Sequence, residues 1–288
     1  MIEIPENATI QSGNAVLAAK LYTKIGAETI ILLHGGPGVP DEMTEVREFL
    51  AEHMQVITFD QRGTGSDNHK KCTYSIPDYI SDVTNIAAYF NLEKFHLFGH
   101  SWGGLYAQIY AQELPGNILS LFLCSPASGT GKVIWRMTEN EVLKYNRNRS
   151  TNREWLTMGL NSLFGLLGSS KAYRRLFRQV IINYHKGYGV APPEPEKLAK
   201  INARSMNKTR RNIKQYPPLK IFGKTNIPVI ITYGQYDTYG QSKEYVFERF
   251  PHARYETIPN CGHTPWKHNK PAFEKILLEF YTVIPRTE

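Results

Sequence analysis

Aspartate vanishes from this 288-residue sequence after Asp82 and returns once, at Asp237. Any chemistry in the second half that needs an aspartate therefore has one candidate. Cysteine is scarce too. Cys72, Cys124 and Cys261 are odd in number, and their spacing matches neither a zinc site nor a disulfide framework. Free thiols, and neither metal nor other cofactor, are the expectation. Long apolar runs are missing. The best, Thr29–Leu33 and Leu163–Leu167, fall far short of the roughly 20 residues that span a bilayer. The first residues, MIEIPENATI, lack the basic and apolar regions of a secretory leader. The sequence thus predicts a cytoplasmic protein without membrane insertion.

What is present is unevenly charged. Between Pro126 and Gln215 there are 18 Lys and Arg against 5 Glu, a balance of +13, whereas the whole chain carries +8. The middle of the chain is therefore a distinct unit. Its charge fits a solvated helical surface, or attraction of an anionic substrate, a membrane surface or nucleic acid. No nucleic-acid-binding motif accompanies it.

Strand and helix patterns alternate through the first 125 residues. Ala15–Tyr22, Glu28–Leu33, Gln55–Phe59, Phe95–Phe98 and Leu119–Leu123 read as strands. Asp41–Met54, Ile76–Phe90 and Trp102–Gln112 read as helices. The alternation stops near Ser125, gives way to helical stretches such as Glu139–Tyr145 and Ser170–Tyr184, and resumes at Pro228–Tyr233. Strands alternating with helices predict a mostly parallel sheet covered on both faces. The expected organisation is a catalytic domain of residues 1–125 and 220–288 with an inserted helical cap of residues 126–219.

Gly99-His100-Ser101-Trp102-Gly103 fits G-x-S-x-G, with a strand before it and a helix after it. That context is the nucleophile elbow of the α/β-hydrolase fold, which lifts a serine oxygen clear of the sheet. Ser101 is the expected nucleophile. His34-Gly35-Gly36-Pro37-Gly38 follows an earlier strand, where glycines let a backbone N–H approach a substrate. The N–H groups of Gly36 and Trp102 are the expected oxyanion donors, and His34 is expected to fix its loop. In this fold the acid follows the serine and the histidine comes last. Asp237, just past the strand PVIITY, is the acid that remains, and His263, in a loop after the next strand, is the base. His252 lies at the wrong end of that strand, and His268 begins a helix. Cys261 lacks an elbow of its own. Phosphate binding by the glycine loop lacks the lysine of a P-loop.

Taken together, HGGPG at 34–38, DQRGTGS at 60–66 and GHSWGG at 99–104 resemble the proline iminopeptidase family of α/β hydrolases. The resemblance covers residues 1–125 and 220–288, while the cap resembles that family only in position and helical character. It implies a metal-free serine aminopeptidase that removes an N-terminal residue, often proline, from a short peptide. It implies Ser101, Asp237 and His263 as the triad and Gly36 and Trp102 as the oxyanion hole. The DQRGTGS segment is expected to brace the floor of the site, with Arg62 paired to a carboxylate. Such an enzyme must also bind the substrate's ammonium group. Among the cap's Glu139, Glu141, Glu154, Glu194 and Glu196, the expected partner is Glu154, beside Trp155. A basic, carboxylate-poor cap equally suits an esterase, lactonase or amidase for a neutral or anionic acyl compound. Oligomeric state is not readable from the sequence.

Overall fold

The computed structural model describes residues 6–40, 43–64 and 72–283. Asp41 and the Gly65-Ser66 end of DQRGTGS, both part of the expectations above, lie outside them. In chain order the elements begin with β1 (Glu6–Ser12), β2 (Ala15–Tyr22), β3 (Thr29–Leu33), α1 (Thr44–Ala51), β4 (Gln55–Phe59) and α2 (Ile76–Tyr89). Then come β5 (Phe95–His100), α3 (Trp102–Glu113), β6 (Ile118–Cys124), α4 (Lys132–Arg149), α5 (Asn152–Leu166), α6 (Ser170–His185) and α7 (Ala203–Gln215). The chain ends with β7 (Val229–Gly234), α8 (Glu244–Arg249), β8 (Arg254–Ile258), α9 (Pro265–His268) and α10 (Lys270–Val283).

The strands form one sheet in the order β1-β2-β4-β3-β5-β6-β7-β8. The first two pairings, β1 with β2 and β2 with β4, are antiparallel, and the rest are parallel. A parallel strand is covered on both faces, so it reads as a continuous apolar run; β3, TIILL, is buried at every position. Alternation then sends its side chains to opposite faces. Ile31 and Leu33 join the cluster packed under α2 and α3, with Val83 and Leu105. Ile30 and Leu32 join the other, with Leu50 of α1 and Phe273 and Leu277 of α10.

Helix starts follow capping chemistry. Ser75 accepts from the Asp78 N–H while the Asp78 carboxylate accepts from the Ser75 N–H, and Pro77 sits in the first turn of α2, where its missing N–H costs nothing. The four helices α4 to α7 all lie between β6 and β7, over the carboxyl ends of the parallel strands. Two of them, α5 and α7, were not singled out by the sequence. Open α/β sheets bind ligands at that end.

Candidate active site

The turn between β5 and α3 holds Ser101 at φ 57°, ψ −117°, a left-handed conformation strained for any residue but glycine. Neighbouring backbone over-determines it. The Ser101 N–H donates to the Cys124 carbonyl at 3.1 Å, and its carbonyl accepts from Ala127 N–H at 2.9 Å. Glycine is obligatory beside it: a Cβ on Gly103 would overlap the Leu33 carbonyl, and one on Gly99 would overlap Gly103. The motif's glycines are thus the condition for helix α3 to cross tightly over β3 and β5.

Three loops at the carboxyl edge of the sheet bring the triad candidates together. His263 Nε2 lies 3.0 Å from Ser101 Oγ. Its Nδ1 lies 3.3 Å from each oxygen of Asp237. Asp237 follows β7, and its carboxylate also accepts from the Tyr239 N–H at 3.1 Å. Burial raises the Asp237 pKa, but His263 and the hydrogen bonds outweigh it and hold the carboxyl below its usual range. The acid is therefore ionised beside the imidazole. Close approach of the His263 loop to β7 again requires glycine, because a Cβ on Gly234 would strike the Cys261 and Gly262 carbonyls.

Buried histidines frame this centre. His100 Nε2–H donates to the His263 carbonyl at 2.9 Å, and burial lowers the His100 pKa to about 3, so it stays neutral. On the other side, Gly262 N–H donates to His268 Nδ1, which leaves His268 Nε2–H to face His185 Nδ1 at 3.0 Å. Burial followed by mutual repulsion lowers His268 to about 3, while burial and Lys267 lower His185 to about 4. Since His185 ends α6, this neutral pair fastens the cap to the loop that carries His263.

The HGGPG loop closes the site against the cap, its Gly38 carbonyl accepting from the Asn202 N–H at 3.4 Å. His34 fixes it as expected, with Nδ1 2.8 Å from the Gly35 carbonyl and Nε2 accepting from Gln61 N–H at 3.4 Å. Gln61 also donates to the His34 carbonyl and accepts from the Trp102 indole N–H at 2.9 Å. One glutamine side chain therefore ties the glycine loop to the start of α3. Gly36 has φ +136° and lines the cavity beside Ser101. Trp102 opens α3, so its backbone N–H has no acceptor within the helix.

The cavity over Ser101 has a volume of about 100 Å³. Its walls are chiefly apolar: Val39 and Met43 from one side, Phe177, Val180 and Ile181 of α6 from the cap, and Trp266 below. Among the described residues no carboxylate lines it. Glu154 in particular is elsewhere. Its carboxylate accepts from Thr151 N–H at 2.8 Å and from the Thr151 hydroxyl at 2.9 Å, closing the capping box of α5 on an exposed surface. The expectation that Glu154 meets a substrate ammonium is corrected by this placement. Cys261 is also no competitor for the nucleophile's role, because burial pushes its thiol up to about 12 and nucleophilic attack needs the thiolate. Among the described residues no cluster of acids, histidines and cysteines could hold a metal ion.

Two residues near the reacting atoms were not foreseen. The Tyr239 hydroxyl lies 3.0 Å from Ser101 Oγ, and its ring meets His263 edge-on. Tyr184 of α6 places its ring 4.9 Å from that of His263. Neither belongs to a motif; each arrives through tertiary contact.

Fold and site together define a hydrolase with the α/β-hydrolase architecture. The chain belongs to the alpha/beta hydrolase fold family, whose model matches residues 28–266. It is 26% identical over 271 residues to a proline iminopeptidase of Lactobacillus delbrueckii subsp. lactis, covering 87% of this chain and 89% of that protein. Among solved structures it superposes on VinJ with a TM-score of 0.73 at 15% identity, covering 98% of this chain and 100% of the other. The proline iminopeptidase of Mycobacterium smegmatis gives 0.65 at 17% identity, covering 96% and 98%. Among the described residues no helix is long and apolar enough to cross a membrane.

Proposed function

We propose that the protein is a serine hydrolase that transfers an acyl group through Ser101, and that its acyl group is a compact one such as an N-terminal prolyl residue. The observation that carries the reading is the unbroken contact from Ser101 Oγ through the His263 ring to Asp237. His263 takes the serine proton as Oγ attacks the carbonyl carbon. The N–H groups of Gly36 and Trp102 receive the developing oxyanion. His263 then gives its proton to the leaving amine or alcohol, and water repeats the sequence on the acyl-enzyme while Asp237 holds the imidazole's tautomer.

Tyr239 has a defined part in this scheme. Ser101 has one proton, committed to His263, so the phenol must donate to Oγ. It steadies the oxygen as charge builds during proton loss, and again when Oγ leaves in deacylation. Replacing Tyr239 by Phe should lower kcat about tenfold with little change in KM, the size of one hydrogen bond. An unchanged kcat would assign the tyrosine to packing alone.

The prolyl reading is supported by the named activity of the similar Lactobacillus protein and by the cavity's size and apolar wall. One observation favours a second reading: no described carboxylate lines the cavity to meet an ammonium. An ester, lactone or amide of a small uncharged acid needs none. Rates on prolyl naphthylamide, its N-acetyl derivative and nitrophenyl butyrate separate the two. A peptidase prefers the free amine; the second reading predicts that blocking the amine raises the rate and that the ester is turned over fastest. Failure of all three, in a folded protein, removes both.

A further inference from the structure

Helix α5 is mounted inside out. A surface helix ordinarily turns its apolar stripe to the core and its polar side to water. In α5 the inward positions are Met158 and Gly165, with Gly165 so close to the Tyr173 ring of α6 that no side chain would fit. Opposite them stand Leu156, Leu160, Leu163, Phe164 and, at the helix's C-cap, Leu167, which are 66%, 52%, 53%, 54% and 76% exposed. Helical geometry places these five within an arc of about 100°. They form one continuous apolar strip that nothing in the chain covers among the described residues.

The strip is bordered by cations. Leu166, 60% exposed, turns into a depression that it shares with Lys132, Arg210 and Arg211. The described carboxylate there, Glu139, is already held by Lys214 at 2.9 Å. On the neighbouring helix α6, Lys171, Arg174, Arg175 and Arg178 are exposed. The unit as a whole has the +13 balance counted above. A second copy of the chain is a poor occupant, since it would press one such cap against another. An anionic lipid surface satisfies both features together, because it offers an apolar boundary layer beneath a sheet of phosphates.

We propose that the outward face of α5 seats the cap on an anionic phospholipid surface. The five apolar side chains enter the boundary between headgroups and acyl chains, and the flanking lysines and arginines meet the lipid phosphates. The helix lies in the plane of the surface and does not cross it. This surface is independent of the triad, and the activity on soluble substrates does not depend on it.

The test is co-sedimentation of the full chain with vesicles of phosphatidylcholine alone and of phosphatidylcholine mixed with phosphatidylglycerol. Binding is expected to the mixed vesicles only, and it should weaken as salt is added. The triple change Leu160→Ser, Leu163→Ser and Phe164→Ser should lower partitioning about a hundredfold, while hydrolysis of a soluble ester stays unchanged. Arg174→Glu with Arg175→Glu should weaken binding and flatten its salt dependence. Absence of binding to the mixed vesicles overturns the proposal, as does binding that the triple change leaves intact. Concentration-dependent dimers that the triple change abolishes would assign the face to a second copy, and capture of an acidic protein in preference to the vesicles would assign it to that partner; either result overturns the lipid reading.

Discussion

Ser101→Ala is expected to lower kcat about a millionfold while leaving the fold and its melting point unchanged. Loss of a triad nucleophile leaves only the oxyanion donors and substrate binding to act, which accounts for a residual rate still above that of water. The fold should tolerate the change because alanine keeps the Cβ that the elbow already accommodates, and the backbone strain at φ 57° is set by the Cys124 and Ala127 hydrogen bonds, not by the hydroxyl. The hydroxyl's own contacts are to His263 and Tyr239, and neither partner is left charged and unpaired by its removal. His263→Ala should cost nearly as much, and the double variant no more than the worse single one, since the residues act as a unit. Single-turnover rates on nitrophenyl butyrate and mass shifts with a fluorophosphonate make the measurement. Wild type should gain one adduct and Ser101→Ala none. A variant that keeps more than about one hundredth of the rate would remove Ser101 as nucleophile, because no secondary path in a triad site supplies that much.

A sequence exposes those parts of a site whose spacing along the chain is fixed by the backbone. The elbow is visible because its glycines stand at fixed spacing around the serine: Gly99 is required by Gly103 within the motif, and Gly103 and Gly104 by the Leu33 and Pro126 backbone that the neighbouring strands bring against α3. Asp237 was found by elimination, since aspartate is missing from residues 83 to 236. Gln61 lay inside a recognised segment, yet its task of tying the His34 carbonyl to the Trp102 indole exists only after β3, β4 and β5 are side by side. Tyr239 is less legible still. A tyrosine two residues past an acid has many uses, and only the turn that follows β7 aims this one at Ser101.

Glu154 and the cap teach the opposite lesson. Thr151-x-x-Glu154 is a helix-start signature, and a carboxylate committed to its own N-cap is a poor candidate for a ligand. A substrate ammonium calls for an acid, but this one is already used by the start of its own helix. Two apolar runs of equal length make a related point. Thr29–Leu33 became the fully buried β3, whereas Leu163–Leu167 became the exposed end of α5. Hydrophobicity alone does not distinguish them, although the first has three β-branched residues and the second none. Flanking context does, because the first lies among alternating strands of a parallel sheet and the second in a helix whose inner face is already taken by Tyr173.

Arg62→Met is expected to destabilise the protein by about 3–5 kcal/mol, the cost of leaving one member of a buried ion pair alone. Arg62 and Asp82 are 1% and 0% exposed. The guanidinium grips both carboxylate oxygens, with Nε 2.7 Å and Nη2 2.6 Å away, and also donates to the carbonyls of Thr73 at 2.8 Å and Asp78 at 3.0 Å. Burial alone would lower the Arg62 pKa, but Asp82 outweighs it and keeps the group charged. Methionine would fill most of the volume and satisfy none of these four acceptors. Lysine should rescue little, because an ammonium cannot reproduce the two-pronged geometry. The deficit has a pH signature. In Arg62→Met the lone buried carboxylate takes up a proton more readily than it does in the unfolded chain, so its folded pKa lies above the unfolded value. Stability retained below the unfolded pKa is then lost as pH rises through the folded one, and the gap from wild type should narrow in acid. Urea midpoints at neutral and acid pH test this, with Arg62→Met combined with Asp82→Leu as the control. Removing both charges should recover much of the loss. Equal midpoints for wild type and Arg62→Met at neutral pH would mean that α2 and the Gln61 turn are held by apolar packing alone. A true deficit would extend to catalysis in the fraction that remains folded, since Gln61, the preceding residue, positions both the glycine loop and the first turn of α3 around Ser101.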